Sequence, residues 1–189
     1  MSINQELHDE VTRLRAENAA LRSELASALR YGRDTETLHN DLGNLYVLIH
    51  GLFATPEREV VRAVVRDVLI NFVGTEEVAC YERDGDVLRL AWQVGVELPE
   101  QTPLTETELG QACLDGAIRV MTPAELQTRR RDQPSAIVPM RLSTPPSEIV
   151  GAVVIFGLLP QRPHYGDLDQ QIFKILSTHG AVALWASAG

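Results

Sequence analysis

Cys80 and Cys113 are the residues of this 189-residue chain best suited to nucleophilic or redox work. A reactive thiolate needs a partly exposed, electropositive setting. Both cysteines instead sit in apolar runs, Val78-Ala79-Cys80-Tyr81 and Gln111-Ala112-Cys113-Leu114, and they read as small buried hydrophobes. Two separated cysteines make neither a disulfide framework nor a zinc knuckle. A reducing, cytoplasmic setting suits them. The histidines are His8, His39, His50, His164 and His179, and none has metal-ligand spacing to cysteines or acids. The chain carries no Gly-rich phosphate loop, no Gly-x-Ser-x-Gly elbow and no His-Glu-x-x-His pair. A redox enzyme built on Cys80 or Cys113 therefore ranks last among the readings, and the chain is expected to be non-enzymatic, with no metal and no cofactor. Two weaker candidates remain. Cys80, Trp92, Leu109, Cys113, Val138 and Met140 could wall a small-ligand pocket, although the plainer reading has them filling the core. Arg129, Arg130 and Arg131, with Arg119 nearby, could hold an anion or an acidic partner, against the plainer reading of a solvated loop.

Composition narrows the partners. Hydrophobic residues make up 44% of the chain, enough for a globular core. The net charge of −9 disfavours nucleic acid, whose binding rests on neutralising phosphates. Residues 1–10 lack the basic and apolar regions of a signal peptide. No apolar run reaches membrane-span length; residues 149–159 are too few and contain glycines. No membrane insertion is expected.

The N-terminal third has a heptad. Val11, Asn18 and Leu25 take position a, and Leu7, Leu14, Leu21 and Ala28 take d, with polar residues at most other positions. So narrow an apolar stripe gains stability by pairing. Asn18 at an a position favours a parallel two-stranded arrangement in which it meets its own copy. A second stripe follows at Leu38, Leu42, Leu45, Ile49 and Leu52, three residues out of phase with the first. That slip marks either a stammer in one helix or a break with Asp34 or Thr35 as N-cap. Leu48 and Phe53 widen the second stripe, as if this helix also packs on a globular domain. The expected division is a dimerising coil over residues 1–33 and a domain over 34–189, with 34–54 as its dimer-linking helix.

The remainder reads as an α+β domain. Thr55-Pro56 predicts a helix start, with Thr55 as N-cap and Pro56 at N1. Asp84-Gly85 between alternating runs predicts a hairpin over residues 77–94. A loop over 95–102, a short helix over 105–114 and a strand over 117–121 come next. Thr122-Pro123 opens one helical turn. Strands over 135–142 and 148–158 are joined by a turn at 143–147, and a last helix starts near Gly166. Short connections imply an antiparallel sheet with the terminal helices on one face.

Three segments carry a resemblance to the GAF domain family, spanning roughly residues 42–184. Residues 87–95 resemble the second GAF strand and the glycine after it. Residues 136–142 followed by 149–156 resemble the final hairpin, with its proline and its strand-opening glycine. Residues 167–184 resemble the closing helix. The resemblance implies a six-stranded antiparallel sheet with helices behind it, a small-ligand pocket in front, and dimers through the terminal helices. The family's cyclic-nucleotide pattern Asn-Lys-x-x-x-Phe-x-x-x-Asp-Glu is missing, and Cys113 is followed by Leu114 rather than the histidine of bilin-binding relatives. The cysteine spacing of the methionine-sulfoxide-reducing relatives is missing too. GAF domains usually regulate an attached output domain, and none is recognisable here. The expected function is a dimeric cytoplasmic signalling adaptor that binds partner proteins. A small-ligand sensor signalling through the coil is the alternative.

Overall fold

The computed structural model describes the backbone of residues 3–143 and 148–187, and side chains from Arg13 onward except Leu14, Ala16, Ala19 and Asp34. Residues Thr144 to Ser147 of the expected turn lie outside the described residues. The chain divides into two compact units, Met1–Gly43 and Asn44–Gly189.

Helix α1 runs unbroken from Ile3 to Phe53. The alternative of a break at Asp34 or Thr35 is thereby removed: Thr35 is no N-cap, and its Oγ1 donates back to the Tyr31 carbonyl at 2.8 Å, one helical turn earlier. Within the globular unit the last turns of α1 supply Leu48 and Leu52, both fully buried. Helix α2 spans Arg58–Val68 and is capped by the extended Glu57. The expected start at Thr55-Pro56 is two residues early, because Thr55 Oγ1 accepts from the Glu57 amide at 3.2 Å and holds a turn ahead of the helix. A π-helical turn, Leu69–Val73, carries α2 to Gly74, whose φ of 72° ends it in the left-handed region.

The strands are β1 (Thr75–Asp84), β2 (Val87–Val94), β3 (Gln101–Pro103), β4 (Arg119–Val120), β5 (Ala136–Leu142) and β6 (Glu148–Leu158). They form one antiparallel sheet in the order β3-β2-β1-β6-β5-β4. Strand β3 falls where a loop was expected; three residues are too few to show alternation. Helices α3 (Glu108–Asp115) and α4 (Pro123–Thr128) lie between β3 and β5 in the chain. Thr107 caps α3 by accepting from the Gly110 amide, and Thr122 with Glu125 forms a reciprocal capping box on α4. Helix α5 (Asp167–Ile175), a π-helical turn (Leu176–Gly180) and α6 (Ala181–Ala186) close the fold.

Both faces of the sheet are covered. One packs Val78, Cys80, Val138, Met140, Val153 and Ile155 against Leu48 and Leu52, Val61, Val65 and Val68 of α2, and Ile172, Phe173, Leu176 and Leu184. The other packs Ala79, Tyr81, Leu88, Ile137, Val154 and Phe156 against Leu104, Ala112 and Cys113. Two glycines named in the GAF resemblance have steric reasons. A Cβ on Gly95 (φ 69°) would stand 2.0 Å from the Glu76 carbonyl oxygen, and one on Gly151 would stand 2.4 Å from that of Tyr81.

Candidate functional site

The proposed pocket residues do not converge. Cys80, Val138 and Met140, with Trp92 packed beside them, belong to the helix-covered face, whereas Cys113 and Leu109 belong to the opposite face. The six are thus divided between the two core clusters, one on each face of the sheet. A β-bulge contributes to the separation. Cys80 pairs with Trp92 but Tyr81 pairs with Leu90, so Ala91 is an extra residue and side-chain parity inverts across it. Leu90 thus faces the Cys113 side and Trp92 the Cys80 side. The Trp92 Nε1 is buried without a hydrogen-bond partner among the described residues.

Neither cysteine is set up as a nucleophile. Both are buried and unbridged. Burial raises the Cys80 thiol far above the usual thiol range, and Glu82 adds to the effect. Burial likewise pushes Cys113 up to about 12, against a smaller opposing pull from Arg119. Both are protonated at neutral pH, which removes the reactive form. Iodoacetamide is expected to leave both unmodified in the native protein and to alkylate both in denaturant, as read by intact mass. Modification of either under native conditions would show that its enclosure is breached.

Each arginine of the 129–131 run has a partner. Arg129 Nη1 donates to the carbonyls of Arg130, Arg131 and Gln133, the last at 2.7 Å, and so organises its own loop. Arg130 is paired with Asp132 and Arg131 with Glu77. Arg119 bonds Asp115 at 2.5 Å. The run is thus a braced loop in which Arg130 and Arg131 are paired with carboxylates and Arg129 is held by backbone carbonyls. Beside it are two open clefts of ≈ 210 and ≈ 430 Å³, which share Glu108, Gln133 and Pro134. No cluster of three or more metal-holding side chains occurs among the described residues.

Two buried ionic groups escaped the sequence reading. Glu82 on β1, nearly buried, accepts from Arg58 (Nε 3.1 Å, Nη2 2.8 Å) and from Arg62 (Nε and Nη2, both 2.8 Å). Arg62 is also paired with Glu59. Asp169, fully buried at the start of α5, accepts from Arg162 Nη2 through both oxygens at 2.8 and 2.7 Å and from the Gly166 amide at 2.7 Å. These carboxylates anchor helices to the rest of the unit. The 24-residue separation of Arg58 and Glu82 leaves no local pattern to read.

The candidate dimer residues divide three ways. The side chains of Leu7, Val11 and Leu14 lie outside the described residues. Asn18, Leu21, Leu25, Leu38 and Leu42 are exposed, the leucines each by more than half. Ile49 is 38% exposed. Leu45 is the exception, because it packs on the core of its own globular unit. Tyr46 and Phe53, not among the expected dimer residues, are exposed on the same last turns of α1.

Comparison with protein-family models found no match, and comparison with curated proteins found none. Solved structures do match. The GAF domain of an Acinetobacter phosphoenolpyruvate-protein phosphotransferase superposes with a TM-score of 0.60 at 11% identity, covering 78% of this chain and 95% of that one. The A. aeolicus NLH2 GAF domain in an inactive state gives 0.55 at 17% identity, covering 76% and 96%. Residues 122 to 287 of a methyl-accepting chemotaxis protein give 0.55 at 13% identity, covering 77% and 98%. At such identities the likeness is one of architecture, and the architecture is that of a GAF domain.

Proposed function

We propose that this protein is a non-enzymatic, homodimeric signalling adaptor: α1 pairs two copies, and the GAF-like units are offered to partner proteins. The observation that carries the reading is the set of exposed leucines on α1, with Leu21, Leu25 and Leu42 at a and d positions and Leu29 and Leu38 flanking them, on a helix with no partner element over that stretch among the described residues. Apolar surface of that extent is removed from water by a second helix. Solved neighbours that include a chemotaxis protein support a signalling role, and two enclosed, protonated thiols support a non-enzymatic one. No helix among the described residues is long and apolar enough to cross a membrane.

Analytical ultracentrifugation tests the reading. The native protein should sediment at twice 20.9 kDa, and a Leu21→Asp, Leu25→Asp variant at 20.9 kDa with its sheet signal in circular dichroism retained. A monomeric native protein at micromolar concentration sinks the proposal. A small-ligand sensor is the second reading, favoured by the clefts beside Glu108 and Gln133. It requires a metabolite that raises the melting temperature and loses its effect in Gln133→Ala.

A further inference from the structure

Counting sevens from Val11 along α1 puts Glu10, Glu17 and Glu24 at position g and His8, Arg15 and Arg22 at position e. In a parallel two-stranded coil, g of one helix meets e of the next heptad on its partner. Glu10 then faces Arg15 of the second copy, and Glu17 faces its Arg22, twice over by symmetry. In an antiparallel pair, g meets g and e meets e, setting acid on acid and arginine on arginine. The charge pattern therefore complements only a second copy running the same way in the same register.

The same count extends further than the leucine pattern does. It reaches Gly32, Thr35, His39, Leu42, Tyr46, Ile49 and Phe53 at successive a and d positions. In the globular unit Tyr46 is exposed, Ile49 is 38% exposed and Phe53 is half-exposed with its ring edge-on to His179, whereas Leu45 packs on the core and Leu48 and Leu52 are buried in it. The three-residue slip between the two leucine stripes therefore marks a division of labour. Of the second stripe, Leu45 and Leu52 turn to the chain's own core, Leu38 is exposed, and Leu42 and Ile49 fall on the original phase of the seam. Helix α1 has no break at which that phase could reset.

We propose that two copies pair in parallel and in register along one seam running from Leu7 to Phe53, selected by Glu–Arg contacts at its N-terminal end and relaxed in the middle by Gly32, Thr35 and His39. This rests on the homodimer reading above and adds orientation, register and extent. Two full-length variants test it. Arg15→Glu with Arg22→Glu leaves acid facing acid in its homodimer, and Glu10→Arg with Glu17→Arg leaves base facing base. Each alone should dimerise about a hundredfold more weakly than the native chain at low salt, whereas their equimolar mixture should regain native affinity as a heterodimer. That recovery also shows that both variants fold. In a second measurement, mild oxidation should cross-link His39→Cys between chains and leave Leu38→Cys largely uncross-linked, since facing a positions bring Cα atoms within disulfide reach. Cys80 and Cys113 are buried and do not interfere. A monomeric native chain overturns the homodimer reading itself. A native dimer that ignores the charge changes, a mixture that fails to recover, or preferential cross-linking at Leu38→Cys overturns only the orientation and register proposed here.

Discussion

Replacing Glu82 with alanine is expected to destabilise the globular unit by about 3 kcal/mol in urea unfolding. The change leaves Arg58 and Arg62, each largely covered, without the carboxylate that accepts all four of their short bonds on β1. Arg62 keeps Glu59, but that carboxylate is exposed and contributes little. The pH dependence has a definite sign. Burial alone would raise the Glu82 carboxyl, and the bonds from Arg62 and Arg58 outweigh it and hold the group below its ordinary value. The unfolded chain then binds the proton more readily than the folded one. The stabilisation is fully present above the ordinary carboxylate range, about 4.3, and is lost as pH falls through the lower folded value. Glu82→Gln should flatten that acid limb of the stability curve. An unchanged acid limb in Glu82→Gln would show that the carboxylate is not the group responsible.

Asp169→Ala should cost a comparable amount, again about 3 kcal/mol. Asp169 is both the cap of α5, through the Gly166 amide, and the partner of Arg162, whose Nη1 also donates to the Phe72 carbonyl at 3.0 Å. One guanidinium thus ties the loop before α5 to the π-helical turn after α2. Asp169→Asn retains an acceptor for Gly166 but not the charge, so it should lose roughly half as much. Equal losses for the two variants would mean that the amide cap contributes nothing.

The sheet was legible in the sequence wherever alternation or turn chemistry was strong. Asp84-Gly85 marks the β1–β2 hairpin, and Thr122 with Glu125 marks α4. Which of the six candidate pocket residues share a face was not legible, because both faces of the sheet are buried. Runs such as that of β6 are apolar from Ile149 onward and do not announce which residues share a face. The bulge at Ala91 then inverted parity halfway along β2, with no glycine there to signal it. The two π-helical turns each add a residue to a helical turn, and neither run carries a spacing that separates a π turn from an α turn. Leu45 packs on the core of its own unit, which spacing alone does not separate from the exposed leucines of the same stripe.

Leu48 and Leu52 carry a lesson about where this molecule can be cut. The bend after Phe53 looks like the natural seam between helix and domain, yet the last turns of α1 are interior lining of the globular unit. A fragment begun at Ala54 would take Leu48 and Leu52 out of the core cluster that includes Val61 and Val65 and leave their space unfilled. The sensible excision point is near Gly43, in mid-helix, so that the turns carrying Leu48 and Leu52 stay with the unit whose interior they line.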